Sequence, residues 1–215
     1  MNYHNITYPD MNNGDGLRVV LWLSGCSHRC FHCQNPQTWD ANGGIPFDES
    51  AREELFRELD KDYISGLTLT GGDPLFESNL DDVLDLVTEI NKRYNFQKVD
   101  SANPCKMDVS EVKNTHEIRI LYPNKSIWIY SGYTWESIMN YTSCSTDDFD
   151  YIEELYTDEQ YEKRKKIISM CDVMVDGRYI DSQRDIALKW RGSFNQRVID
   201  TQKSLKENKI VLYCD

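Results

Sequence analysis

The chain has 215 residues, 40% hydrophobic and 28% charged, with a formal net charge of −12. That size and composition suit one soluble globular domain with a substantial core, and the acidic balance argues against nucleic-acid binding, which needs a basic surface. No apolar stretch approaches a membrane span, and Met1-Asn-Tyr-His-Asn5 lacks the basic and apolar regions of a signal peptide. A cytoplasmic protein without membrane contact is therefore expected, and its seven cysteines read as thiols or metal ligands rather than a disulfide framework.

Leu17 to Leu23 is a short apolar run suited to a buried parallel strand. Behind it, Cys26, Cys30 and Cys33 form a C-x3-C-x2-C loop that runs on to Asn35-Pro36. Asp48 to Asp60 has helical spacing, with Ala51, Leu55, Phe56 and Leu59 on one face and Asp48 or Ser50 as its cap. Gly66-Leu-Thr-Leu-Thr70 is a second strand, ended by Gly71-Gly72-Asp73-Pro74. Asn79 to Tyr94 is the clearest helix, with Leu80, Val83, Leu84, Val87 and Ile90 in register behind an Asn79 cap.

Residues 97–117 and 142–150 are polar and break the rhythm; they read as insertions or surface loops within a single domain spanning 1–215. Glu117 to Tyr122 and Ser126 to Tyr130 are expected to pair as a hairpin across Pro123-Asn-Lys125. Ile127 to Tyr130 is a strand ending at Ser131-Gly132, Thr134 to Tyr141 a helix, Asp150 to Met170 one or two charged amphipathic helices, and Asp172 to Asp176 another strand. Repeated β–α units imply an α/β fold with a parallel sheet, whose sites gather where strands end.

Three thiolates from one tight loop can bind three irons of a cubane cluster and leave the fourth open to an outside molecule. The alternative is a zinc site completed by His28, His32, Cys105, Cys144, Cys171 or Cys214, although a second C-x2-C knuckle is missing. Paired glycines at Gly71 and Gly72 let a ligand approach the backbone. Carbonyls there, and the Asp73 carboxylate, can accept hydrogen bonds from an ammonium group. Taken alone, Gly-Gly-Asp-Pro also suits an ordinary turn.

Together the two motifs resemble the radical S-adenosylmethionine (SAM) superfamily. The blocks Ser24 to Asn35, Thr38-Trp39, Gly44 to Phe47, Thr70 to Leu75, Ile127 to Tyr133, Val173 to Tyr179 and Trp190 to Gln196 are similar to the anaerobic ribonucleotide reductase activating proteins. Met1 to His4 and the Asn13-Gly-Asp-Gly16 turn fit as well, so the resemblance runs end to end apart from the insertions. Gln34 and Asp15 depart from the family's pattern without removing a cluster ligand.

The resemblance implies a shortened, incomplete (β/α) barrel of the radical SAM type. It implies a [4Fe-4S] cluster on Cys26, Cys30 and Cys33, with SAM chelating the fourth iron. The Gly71-Gly72-Asp73 turn would hold the methionine amino group, His32, Cys33 and Gln34 would border SAM, and Ser131 with Gly132 would take its ribose side. The implied substrate is a protein, the large subunit of anaerobic ribonucleoside-triphosphate reductase, on which a glycyl radical is generated with electrons from a low-potential donor. Asp176 is open between a site role and a structural acid, and Arg191 and Asn195 between ordering the tail and meeting the partner. His4, His116, Cys105, Cys171 and Cys214 are expected to carry no chemistry. Alternatives are an activase of another glycyl radical enzyme of the formate-lyase type, a radical SAM enzyme for a small molecule, and a non-catalytic zinc-binding interaction module.

Overall fold

A computed structural model describes residues 1–94, 124–139 and 158–214. The described elements, in order, are β1 (Asn2–Asp10), β2 (Leu17–Leu23), β3 (Ile45–Pro46), α1 (Glu49–Leu59), β4 (Ile64–Gly71), α2 (Leu80–Tyr94), β5 (Ser126–Tyr130), α3 (Trp135–Met139), α4 (Asp158–Met170), β6 (Val173–Asp176), β7 (Arg197–Asp200) and α5 (Thr201–Glu207). They build one seven-stranded sheet in the order β3-β1-β2-β4-β5-β6-β7. The four central strands β2, β4, β5 and β6 are parallel. Both margins are antiparallel, through β1 with β2 and β3 on one side and β6 with β7 on the other. The architecture is thus mixed α/β, and among the described residues the sheet does not close into a barrel.

The central strands carry apolar runs because both of their faces are covered. Val19, Val20, Leu21 and Leu23 of β2, Leu67 and Leu69 of β4, and Ile127 to Ile129 of β5 are buried. Arg18 is the exception within the first run. It is fully buried, its Nε donates to Thr68 Oγ1 at 2.6 Å, its guanidinium reaches the Leu67 and Ser126 carbonyls, and it lies over the Trp128 ring at 5.3 Å. Burial pulls its pKa down to about 10, which still leaves it charged at neutral pH. One cation therefore stitches β2, β4 and β5 together.

Asp48 caps α1 by accepting from the Ala51 N–H at 3.0 Å, as its spacing predicts. In α2 the buried stripe is Leu80, Val83, Leu86, Val87 and Ile90, with Leu84 at its margin. Asn79 does not act as the expected cap. It sits in a short 3-10 turn, Glu77–Asn79, and its Nδ2 donates to the carbonyls of Ser24 and Asp73.

Strand β5 is paired with β4 on one side and with β6 on the other. The segment 117–122, expected to form a hairpin with it, lies outside the described residues, as do both expected insertions, Cys105, His116 and Cys144. The C-terminal pair β7 and α5 has no apolar run long enough to announce it. Asp200 caps α5 through the Lys203 N–H. Among the described residues no helix is long and apolar enough to cross a membrane.

Candidate functional site

Because the central strands are parallel, the segments that follow them emerge on one edge of the sheet. These are the cysteine loop after β2, the glycine turn after β4, Ser131-Gly132 after β5 and Gly177 after β6. All four contribute to one open cavity of about 330 Å³. Cys26, Cys30 and Cys33 line it together with Gln34, Gly71, Gly72, Asp73 and Ser131. The structure thus brings together every anticipated cluster and SAM residue except His32. The His32 ring is exposed, stacks on Phe31 and lies 3.1 Å from Asp181, outside the cavity lining.

The cysteine loop leaves the sheet at Gly25, whose φ of +95° suits glycine. It is pinned at its root where the Gly25 and Cys26 N–H groups donate to the carbonyls of Thr38 and Trp39. Arg29 and His32, at φ +46° and +54°, hold left-handed conformations that side-chain-bearing residues seldom adopt. The glycine turn is tied to the same root. Gly72 N–H donates to Leu23 O and Asp73 N–H to Gly25 O, both at 2.7 Å, and a Cβ on Gly72 would fall 2.5 Å from the Gly25 carbonyl oxygen.

Asp73 is the centre of this arrangement. It is 2% exposed, and both carboxylate oxygens are engaged. Oδ1 accepts from Leu75 N–H at 2.8 Å, Oδ2 from Gly132 N–H at 2.9 Å, and the Ser131 hydroxyl lies 3.0 Å from both. His28 Nε2 adds a contact to Oδ2 at 2.7 Å. Burial alone would raise the Asp73 carboxyl; the His28 contact and the backbone N–H donors outweigh it and hold it below the usual carboxylate range. The expectation that this carboxylate meets an ammonium group therefore needs correcting. Its acceptor sites serve the protein, which leaves the carbonyls of the turn for that task.

His28 is fixed at both ring nitrogens. Arg178 Nε donates to Nδ1 at 3.2 Å, so Nε2 carries the proton that faces Asp73. A ring spent in this way has no lone pair for zinc, which removes His28 from the zinc alternative. Its edge contact with Tyr133, at 4.8 Å between centroids, completes the packing. The sequence shows His28 between Cys26 and Cys30, where it suits a metal ligand, but not the buried acid that holds it, which lies 45 residues away.

Asp176 resolves as a structural acid. It is buried, its Oδ2 accepts from Trp135 N–H at the start of α3, and it pairs with Arg197. Asn195 orders the tail by donating to the Arg178 carbonyl at 2.7 Å. Cys171 is a buried core residue, as expected.

The thiols suit a metal cluster in chemistry and placement. Burial pushes Cys26 up to about 11 and raises Cys30 too, where the Tyr179 N–H opposes it, so without metal these two thiols stay protonated and metal must displace those protons. Among the described residues no three His, Cys, Asp or Glu side chains converge on a single-ion position. A cubane is bound through three separate irons, so its thiolates face a shared space rather than a point.

A family model described as a 4Fe-4S single cluster domain matches residues 12–103 and 105–199. The chain is 32% identical over 200 residues to the anaerobic ribonucleoside-triphosphate reductase-activating protein of Enterobacteria phage T4, covering 92% of this chain and 93% of that one. The chain belongs to this family of activating proteins. Proteins of the same name from Escherichia coli (strain K12) and Vibrio cholerae are 30% and 31% identical, over 92% and 91% of this chain and 97% and 96% of theirs. The family match spans the cysteine loop, the glycine turn and the whole Trp190–Gln196 segment.

Proposed function

We propose that the protein is a radical SAM activase that generates a glycyl radical on the large subunit of an anaerobic ribonucleoside-triphosphate reductase. The observation that carries this reading is the facing of three cysteines and a glycine turn across one open cavity, in a chain whose relatives bear the activase name. In this reading Cys26, Cys30 and Cys33 hold a [4Fe-4S] cluster and leave one iron for SAM. A cluster held there would supply one-electron reduction of SAM, the chemistry by which a hydrogen atom would be taken from the partner's glycine.

The chain's own residues bind, orient and screen. The carbonyls of the Gly71-Gly72 turn receive the methionine amino group, and the absence of Cβ atoms lets it approach. Gln34 and Ser131 border the cofactor, while Asp73 and His28 hold the two loops in register. The parallel strands β2, β4, β5 and β6, with the site at their C-terminal ends, support an incomplete radical SAM-type barrel whose open side admits a loop of a protein substrate. The whole chain acts as one domain around this edge.

The test is anaerobic. The protein, reconstituted with iron and sulfide, is given reductant, SAM and the cognate reductase. 5′-Deoxyadenosine together with a glycyl doublet in the EPR spectrum is expected, and both are lost in Cys30→Ala while its melting curve stays cooperative. Deoxyadenosine without a glycyl radical would reopen the substrate. A tightly bound zinc with neither product would favour the interaction module.

A further inference from the structure

The Trp190–Gln196 segment is built with more care than a tail requires. Trp190 holds a left-handed backbone at φ +58° and packs edge-on against buried Trp128 at 4.9 Å. Such strain in a residue bearing a large side chain persists only where its surroundings enforce it. The next turn is organised by one side chain. Gln196 Oε1 accepts from the Gly192 and Ser193 N–H groups, while its Nε2 donates to the Gly177 carbonyl at the end of β6. Gly192 leaves little room for change, since a Cβ there would lie 3.1 Å from the Tyr179 ring.

This scaffold presents Arg191. Among the described residues that line the cluster cavity, Arg191 is the only arginine or lysine. Nη1 donates to the Gln196 carbonyl at 3.1 Å, but its Nε is buried and has no hydrogen-bond partner among the described residues. A buried, unspent guanidinium N–H costs free energy unless something else accepts from it. Asp73, the only carboxylate of the lining, is closed off by its own donors. Among the described residues, the cavity lining therefore offers one guanidinium that no carboxylate of the lining pairs, with its Nε still to be satisfied.

We infer that Arg191 binds the carboxylate of SAM. This rests on the radical SAM reading above and adds a residue and an orientation to it. SAM carries two positive groups, the sulfonium and the ammonium, and a single negative one. A fixed guanidinium repels the first two and attracts the third, so the carboxylate end faces the Trp190–Gly192 turn while the ammonium faces the glycine turn. Arginine suits the task because its planar fork pairs with a carboxylate through two N–H groups.

The experiment is a binding cycle on the anaerobically reconstituted protein, measured by calorimetry with SAM and with its decarboxylated analogue. Removing the carboxylate also removes a ligand to iron, so the informative quantity is how each variant's loss differs between the two molecules. Arg191→Gln is expected to weaken SAM by roughly tenfold or more and to leave the decarboxylated analogue within about twofold of the wild-type value. Arg191→Lys should recover part of the loss, and iron content and melting temperature should match the wild type. Equal weakening of both molecules, or no weakening of either, would overturn the inference and leave the radical SAM reading standing. Loss of iron in Arg191→Gln with unchanged analogue selectivity would do the same and assign Arg191 to the cluster loop. Failure of the wild-type protein to bind SAM would overturn both.

Discussion

At the scale of single residues, Asp73 and His28 explain why two loops far apart in sequence keep one geometry. The buried carboxylate gathers donors from the glycine turn, from Ser131-Gly132 and from the middle of the cysteine loop. Because each oxygen is committed, removing one donor leaves a buried charge short of partners, which is expensive. Gly132 is the sensitive point. A Cβ there would sit 2.2 Å from His28 Cδ2, so Gly132→Ala must push the ring off Asp73. The protein is expected to fold with a loss of about 1–3 kcal/mol, the usual cost of overpacking. Iron retained per chain after reconstitution and desalting should fall several-fold. Full iron retention would mean that His28 does not position the cluster loop.

At the scale of elements, the β6–β7 margin of the sheet joins a short apolar core of Val173, Val175 and Val198 to a set of charges. Strand β6 meets α3 and β7 through Asp176, which is fully buried and receives the first N–H of α3 and the Arg197 guanidinium. Arg197 also pairs with Glu136 on α3, which holds that carboxyl below its ordinary value. Asp176→Asn keeps the shape and loses the charge that Arg197 answers. A destabilisation of about 2–3 kcal/mol is expected, seen as a lower denaturant midpoint at unchanged slope. Arg18 plays the matching part in the interior, where one guanidinium joins three parallel strands. Its neighbour Gly14 is required by the same packing, since a Cβ there would come within 2.7 Å of the Arg18 side chain.

At the scale of the whole molecule, the site sits on the open edge of a sheet whose loops are held mainly by hydrogen bonds around the cavity. A cluster that binds the folded chain and not the unfolded one must stabilise it by mass action. The reconstituted protein is therefore expected to melt higher than the metal-free protein under anaerobic conditions, and on the proposed radical SAM reading SAM raises the melting temperature further. Removing the cluster with a chelator and oxidant should return the curve to the metal-free position. Identical curves for all three forms would mean that the cysteine loop is already as ordered without metal, and would weaken the link between the cluster and the fold.

The chemistry of the cysteine loop and the glycine turn was legible in the sequence because both are local. A thiol spacing and a pair of glycines each act within a few residues, and an apolar run such as Val19 to Leu23 announces a buried strand wherever it occurs. The cap at Asp48 is local in the same way. The antiparallel margins β1, β3 and β7 were not legible, because their strands are short or mixed in polarity and gain their place only from a neighbour already in the sheet. The same holds for the neighbours of β5, which proximity in sequence does not give: the strands beside it are β4 and β6. Asn79 looked like a helix cap and instead ties Ser24 to Asp73, and Asp73 looked free for a ligand and instead serves four neighbours. The sequence by itself determined which groups carry chemistry, since residue type and spacing set what a loop can ligate. Only the tertiary structure decided which of those groups remain available, because a hydrogen-bonding site can be spent on the protein itself, and that depends on contacts between residues far apart in the chain.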